Sequence, residues 1–276
     1  LVGSEMCIRD RLKYNQMNYN NDVELDNFCS QCLLVINAVG PSFKINDKIA
    51  LHALRNNCHY IDIGGYGILR DLLKPYEKSI EAQKLCFIIG VGWMPGISGV
   101  FSKTIIETHL NSPENTNFNI YYGAVDNWSY SSTYDLAASS MGKTRSYVYS
   151  HGKEIQVSPF RYTHHKFFPF IGHKKICMPS FDEQLTQLAT SLKQIRKIST
   201  FIMLNDYISM GKFMFIKIFY KHNLNKATLM LQDDYQRLVK KENKWGSVIC
   251  QVSKIEPERK IDTCLLYTSD AADDRI

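Results

Sequence analysis

The chain has 276 residues, a net charge of +6 and eight cysteines, with 45% hydrophobic and 22% charged residues. This composition excludes intrinsic disorder, collagen and a small disulfide scaffold, and it suits one large or two ordinary globular domains. The positive charge is spread along the chain instead of forming a stripe or tail, so we predict no nucleic-acid partner. Eight cysteines in so long a chain do not indicate a disulfide framework, and we expect a reducing, cytoplasmic location.

The two ends of the chain differ in character from the rest. Residues 1–11 (LVGSEMCIRDR) and 264–276 (CLLYTSDAADDRI) resemble peptides that arise when sequencing-adapter read-through is translated. We therefore exclude both segments from the fold prediction and take residues 12–263 as the native part. Because the excluded tail has a net charge of −2, the native part would carry about +8 and six cysteines. The sequence is then expected to be a fragment at both ends.

The first half of the chain alternates short apolar runs with helical patterns. Residues 32–39 (CLLVINAV) stop at a Gly-Pro turn, which is typical of a parallel strand that is buried on both faces. The strand-helix order that follows predicts an α/β fold with an incomplete Rossmann-type parallel sheet over residues 12–115. The further strands are predicted at 59–63 and 85–89, and the helices at 45–57, 72–84 and 99–109.

The second half of the chain has a different pattern, and we place a domain boundary near residue 115. A strand at 117–124, a hairpin at 147–157 that turns at 151–153, and a late alternating strand at 245–255 predict an α+β domain over 116–263. We expect this domain to bind substrate.

Residues 201–220 (FIMLNDYISMGKFMFIKIFY) form the most hydrophobic long stretch of the chain. We predict a buried or interfacial helix here, with membrane contact possible, in preference to a membrane span. A span is disfavoured because four polar or charged side chains would be costly in hydrocarbon. These are Asn205, Asp206, Lys212 and Lys217.

Three loops at predicted strand ends could contact a ligand. In residues 37–43 (NAVGPSF), Gly40 lets a ligand approach the backbone and Asn37 offers an amide donor and acceptor, although a plain turn fits equally well. In residues 59–65 (HYIDIGG), Asp62 either caps a neighbouring turn or faces a substrate amine, since an unpaired carboxylate is expensive to bury. Residues 90–99 (GVGWMPGISG) narrowly miss the G-x-G-x-x-G pattern, which favours a cleft-lining loop over a phosphate site.

Together these loops resemble the saccharopine dehydrogenase family of NAD(P)-dependent oxidoreductases, whose motifs read N-A-x-G-P-F, H-Y-x-D-x-x-G and G-x-x-P-G. The resemblance covers residues 18–165 well and the remainder poorly. It implies NADP or NAD as cofactor, and hydride transfer at a secondary amine or imine of a small, amino-acid-type substrate. It also implies substrate contact by Asp62, and cofactor contacts by Asn37, Ala38, Gly40, Pro41, Gly92, Pro95 and Gly96.

The chain departs from the family at its beginning, since no strand with a G-x-G-x-x-G loop precedes residue 18. We therefore predict that the chain as given binds NAD(P)H poorly or not at all and is inactive. One alternative is a non-catalytic scaffold whose helix at 201–220 touches a membrane or a partner. Another makes residues 90–96 a true dinucleotide loop, but Glu107 and Glu114 are poor candidates for the ribose-binding acid that it needs.

Several sites stay unassigned. The residue pattern selects no catalytic residue, and we predict no metal site, because neither the Cys29–Cys32 pair nor the His164–His165 pair has partners at recognisable spacing. A homodimer is a possible oligomeric state.

Overall fold

The computed structural model describes residues 14–65, 67–93, 95–109, 116–142, 146–151, 153–169, 171–180, 187–190, 195–254 and 260–267. Its first part is a three-stranded parallel sheet in the order β1-β2-β3, with Leu34 in register with His59 and Tyr60 with Phe87. The predicted α/β class is confirmed. The elements of this part are α1 Asp22–Cys29, β1 Leu34–Asn37, α2 Ser42–Ile45, α3 Lys48–Arg55, β2 His59–Asp62, α4 Gly67–Leu73, a 3-10 turn Lys74–Tyr76, α5 Glu77–Ala82, β3 Phe87–Ile89 and α6 Ile97–His109.

The parallel sheet is covered on one face. Val35 and Tyr60 point into a core that α1, α3 and α4 complete, whereas Leu34, Ile36 and Ile88 are exposed on the opposite face. The prediction that the first strand is buried on both faces is therefore wrong. The physical reason is that α6, which follows β3, packs against the second sheet instead of returning to the first.

The second sheet has eight strands and is mixed. The order β11-β10-β4-β9-β5-β6 forms its main path, and a β7–β8 pair joins through β8 to β9. All pairs are antiparallel except β4 with β9. Its elements are β4 Thr116–Val125, α7 Tyr130–Gly142, β5 Ser146–Ser150, β6 Lys153–Val157, α8 Pro159–Tyr162, β7 His164–Phe168, β8 His173–Pro179, a helical turn at 187–190, β9 Lys197–Leu204, α9 Tyr207–Phe219, α10 Leu224–Val239, β10 Trp245–Lys254 and β11 Lys260–Tyr267.

Two layers of side chains hold this sheet. On one face of β4, Phe118 and Ile120 pack with Ile105 and Ile106 of α6. Helices α7, α9 and α10 meet in a further cluster that includes Ala137, Phe213, Ile216 and Leu231. On the other face, Tyr121 packs with Phe168 and Phe201. Successive side chains of β4 thus point alternately to the two faces of the sheet, as expected for a β-strand.

The hydrophobic stretch at 201–220 is a strand end followed by a helix, so the prediction of one continuous helix is wrong. Phe201 pairs with Tyr121 in the sheet, and the helix begins only at Tyr207. The Asp206 side chain accepts a hydrogen bond from the Ser209 N–H at 2.8 Å and so caps the helix. Among the helices described, none is long and apolar enough to cross a membrane.

The predicted boundaries fall largely outside the described residues. The boundary near 115 lies in the segment 110–115, and the excluded head at 1–11 also lies outside. Of the excluded tail, residues 264–267 lie in β11, which pairs antiparallel with β10, and residues 268–276 lie outside. The domain limits and the two excluded ends stay predictions.

Candidate functional site

The three predicted loops lie together at the carboxyl ends of β1, β2 and β3. The Ile63 N–H donates to the Asn37 carbonyl at 3.2 Å, and the Val91 N–H donates to the Asp62 carbonyl at 3.0 Å. Gly92 lies so close to the Ile63 carbonyl that a Cβ there would be 2.6 Å from its oxygen. The motifs therefore form one continuous surface at this edge of the sheet.

A buried polar network ties the first two loops to each other. The Asn37 side-chain amide donates to Asp62 at 2.7 Å and to the Tyr60 hydroxyl at 3.0 Å, while the Tyr60 hydroxyl donates to Asp62 at 2.6 Å. The other Asp62 carboxylate oxygen accepts from the Gly65 N–H. Burial and the neighbouring Asp62 carboxylate raise the pKa of the Tyr60 phenol, so it stays a hydrogen-bond donor.

This network gives Asp62 the capping role that the residue pattern left open. Both of its oxygens accept hydrogen bonds from within the two loops. The Asn37 amide is engaged as well, since its oxygen accepts from the Val39 N–H at 3.0 Å. Substrate contact by Asp62 and cofactor contact by Asn37 stay predictions, and either would need an exchange of these internal bonds.

The Gly40-Pro41 loop contacts helix α7 of the second part. A Cβ at Gly40 would lie 2.9 Å from the Ser131 Cβ, so only glycine fits there without displacement. The Asp135 carboxylate of α7 accepts from the Ser42 N–H at 2.9 Å and from the Phe43 N–H at 3.2 Å. Burial raises the pKa of Asp135, and these backbone hydrogen bonds oppose that rise. The loop thus fixes the first sheet against the second part.

In the loop at 90–99, backbone N–H groups donate hydrogen bonds to carbonyl oxygens of the same loop. Gly96 has a φ of 130°, and a Cβ on it would collide with the Gly92 carbonyl oxygen. The Ile97 N–H donates to the Gly92 carbonyl at 3.0 Å, and the Ser98 N–H donates to the Trp93 carbonyl at 3.1 Å. A phosphate site at a helix start needs free N–H groups. The start of α6 therefore does not fit a dinucleotide phosphate.

The residues predicted to contact the cofactor differ in what they do in the structure. Within the described residues, three of them serve internal packing or hydrogen bonding, namely Asn37, Gly92 and Gly96, and Gly40 serves the contact with α7. Ala38 is exposed, and Pro41 and Pro95 are half-buried. The cofactor contacts of these residues stay predictions.

A cavity of about 60 Å³ lies between the loop at 90–99 and the second part. Trp93 brings this loop to the cavity, and the opposite wall includes Trp128, whose ring stacks on Tyr235 at 4.7 Å with only 8° between the planes. The lining is mostly apolar and comes from β4, β9, α7, α9 and α10. It includes Tyr122, Leu136, Ile202, Phe213, Leu231 and Leu238, with Asn205, Ser209 and Asp234 as polar members.

An ion-pair network closes the polar end of this cavity. Arg237 binds the Asp206 carboxylate through two nitrogens, at 2.7 and 3.0 Å, and donates to Asp234 at 2.9 Å and to the Ser209 hydroxyl at 3.0 Å. Lys212 is also 3.1 Å from Asp234. Burial would raise the pKa of Asp206, but the Arg237 and Ser209 hydrogen bonds outweigh it and hold the pKa at about 2. Since Asp234 has two cationic partners, the cavity suits the uncharged part of a ligand.

The residue pattern did not reveal this cavity. Residues 130–142, which are rich in Ser and Tyr, form α7, and Leu136 of this helix lies in one wall. The i,i+3 spacing of Asp234 and Arg237 is a local signal from which this ion pair could be predicted. No group of three or more potential metal ligands occurs within the described residues.

Comparison with known proteins identifies the fold. No protein-family model and no curated protein matches the sequence. Among solved structures, apo histidine-tagged saccharopine dehydrogenase (L-Glu forming) from Saccharomyces cerevisiae aligns over 92% of this chain and 75% of its own, with a TM-score of 0.60 and 14% identity. A dehydrogenase (MviM) from Clostridium difficile covers 98% and 71%, with a TM-score of 0.39 and 8% identity, too low to support an argument. The chain thus has the Rossmann-type α/β fold of saccharopine dehydrogenase, as the three loop motifs predict.

Proposed function

We propose that the protein is an NAD(P)-dependent oxidoreductase of the saccharopine dehydrogenase type, acting on a secondary amine or imine of an amino-acid-type substrate. One observation carries the proposal: the Trp93 cavity lies between the loop after β3 and the second part of the chain. Open α/β sheets bind their ligands at the carboxyl ends of the strands, and ligand sites concentrate between domains. At about 60 Å³ the cavity is smaller than a pocket for a whole ligand, which is roughly 300–1,000 Å³, so it is the best supported place for the uncharged part of the substrate.

The cavity walls suggest how a substrate is held. The ring of Trp93 and the stacked Trp128–Tyr235 pair would enclose its apolar part, since aromatic walls bury large areas. Asn205 and Ser209 offer an amide and a hydroxyl for the amine or imine nitrogen. Asp62 would act as a positioning residue, because its capped turn contacts the loop that carries Trp93.

Binding of the cofactor has the least support from the described residues. Bound NADP or NAD would supply the hydride, but the N–H groups at the start of α6 are engaged within the loop and do not fit its phosphates, so we assign no step to it. We therefore expect the chain to bind NADPH weakly, which isothermal titration calorimetry of the full chain can measure. A low-micromolar dissociation constant would contradict our account of the loop at 90–99.

Tryptophan fluorescence can test the substrate site, because two of the three tryptophans of the chain line the cavity. We expect saccharopine to change the emission, and Trp128→Ala to weaken that binding about tenfold or more. Phe160→Ala removes an aromatic ring that is 78% exposed and lies outside the cavity lining, so it serves as the matched control. Equal affinity in both variants would refute the assignment of the cavity.

A second candidate function is a non-catalytic scaffold with the same fold. Its specific support is that the Asn37 amide and the first N–H groups of α6 are engaged in internal hydrogen bonds. An absorbance assay with saccharopine and millimolar NADP or NAD separates the two functions. Slow formation of reduced dinucleotide supports the oxidoreductase, and saccharopine binding without any turnover supports the scaffold.

A further inference from the structure

Helix α9 is apolar on two opposite faces, and only one of them is covered. Phe213 and Ile216 are buried in the cluster with α7 and α10. On the opposite face, Ile208, Phe215, Ile218 and Phe219 are between 44% and 66% exposed. Their spacing places them in one stripe along the helix, which we call the outer stripe. A contiguous exposed apolar surface of this kind is typical of a docking site.

The aromatic side chains of the outer stripe are clustered at one end of the helix. The rings of Phe215 and Phe219 lie 4.7 Å apart, and that of Tyr220 lies 5.8 Å from Phe215. Gly211, on the same stripe, has no other part of the protein within 4 Å of a Cβ placed on it. The stripe is thus open to a flat partner along its length.

Within the sequence from α9 to the middle of α10, the formal charges are all positive, although Lys212 pairs with Asp233 and Asp234 of α10. Residues 207–232 contain four lysines and one histidine but no aspartate or glutamate. Lys221 and His222 are exposed in the turn after α9, and Lys226 is exposed in the first turn of α10. Among the described residues, no carboxylate forms an ion pair with Lys217, Lys221 or Lys226.

We propose that α9 and the α9–α10 turn dock on the surface of an anionic lipid bilayer, with the outer stripe in the interface and the turn lysines on the lipid headgroups. A helix of 13 residues extends about 20 Å, less than the roughly 30 Å hydrocarbon core, so α9 lies along the surface. Apolar side chains in the interface and cations at anionic headgroups are the two contributions that hold such helices.

Charge argues against a second copy of this chain as the occupant. Two outer stripes brought face to face by a two-fold axis would bring the same unpaired lysines close together, and like charges repel. An anionic surface can instead pair with the exposed Lys221 and Lys226. The charge pattern therefore favours a lipid surface over self-association.

Vesicle sedimentation of the full chain tests this proposal. The probes are vesicles of phosphatidylcholine alone and vesicles of phosphatidylcholine mixed with phosphatidylserine. We expect binding to the mixed vesicles, and the double variant Ile218→Ser/Phe219→Ser should weaken it about tenfold or more. Phe160→Ser is the matched control, since it removes a ring elsewhere that is at least as exposed, 78% against 66% for Phe219. Circular dichroism confirms that each variant is folded.

A charge-reversal pair separates the electrostatic contribution. Lys221→Glu/Lys226→Glu should abolish the preference for phosphatidylserine, whereas Lys78→Glu/Lys153→Glu, at exposed lysines elsewhere, should leave it unchanged. Absence of vesicle binding by the wild-type chain would overturn the proposal. So would binding that the outer-stripe variant leaves intact. Concentration-dependent dimers that this variant dissolves, without vesicle binding, would show that a second copy covers the stripe.

Discussion

Replacing Asp206 by Asn tests whether the ion pair with Arg237 fixes the start of α9. The pKa of Asp206 is about 2 in the folded chain, against an ordinary value of 3.8. This difference corresponds to at most roughly 2–3 kcal/mol of stabilisation at neutral pH. Since the Asp206 side chain is 34% exposed, solvent screening reduces the expected contribution to about 1–2 kcal/mol. Asp206→Asn keeps a good N-cap, so it removes mainly the charge.

The loss caused by Asp206→Asn should depend on pH. Because the folded-state pKa lies below the unfolded one, the stabilisation is fully present above about pH 4 and is lost as the pH falls through about 2. We expect the difference in unfolding free energy between wild type and variant to be about 1–2 kcal/mol near pH 7, and to fall to about half near pH 3. Urea unfolding at both pH values measures it, provided that the slope with urea is unchanged.

Asp233→Asn is the matched control for this experiment. Asp233 also pairs with a cation, Lys212 at 3.1 Å, but its side chain is 77% exposed. Exposed pairs contribute little, so we expect a change within about 0.5 kcal/mol at either pH. A loss from Asp206→Asn that is independent of pH, or an equal loss from Asp233→Asn, would refute the reasoning.

Two further pairs of substitutions, each a test with its control, probe the packing and the ion pairs of the chain. Gly96→Ala should cost about 3 kcal/mol or more in urea unfolding, because its φ is 130° and a Cβ collides with backbone. Gly211→Ala, on an open helix surface, should instead stabilise by about 0.5–1 kcal/mol, and a similar cost at both glycines would contradict this account. Glu242→Gln should cost about 2–3 kcal/mol, since it removes the anion 3.0 Å from the fully buried Lys175. Glu154→Gln, at an exposed strand position, should change stability by no more than about 0.5 kcal/mol.

Local patterns predicted the elements whose signals are short-ranged. The hairpin at 147–157 and the late strand at 245–255 follow from alternation alone, and they occur as β5–β6 and β10. Residues 201–220 show where local patterns fail. Phe201 is as apolar as the helix that follows, but pairing with Tyr121 of β4, 80 positions away, makes it part of a strand.

The cavity could not be predicted for a related reason. Trp93, Trp128 and Tyr235 are far apart in the sequence, and only the packing of two sheets and three helices brings them together. The loop motifs could be read because each is continuous along the chain. The three loops contact one another because the parallel strands before them end at one edge of the sheet. This arrangement is a property of the α/β class, which the order of the motifs along the chain already implies.

The residues of the three loop motifs are better evidence for the fold of the chain than for an enzymatic activity. Asp62 and Asn37 are engaged in hydrogen bonds between loops, and Gly92 and Gly96 permit backbone contacts that any side chain would block. Such residues are needed whether or not a dinucleotide binds, so an enzyme and a scaffold of this fold would carry the same motifs. The cavity is lined in part by core residues such as Phe213 and Leu231, but Trp128 lies outside the core clusters and stacks only on Tyr235 among the aromatic rings described. Substitutions at Trp128 therefore test the ligand site, and turnover of saccharopine separates the two functions, whereas substitutions at Asp62 would destabilise the fold that both share.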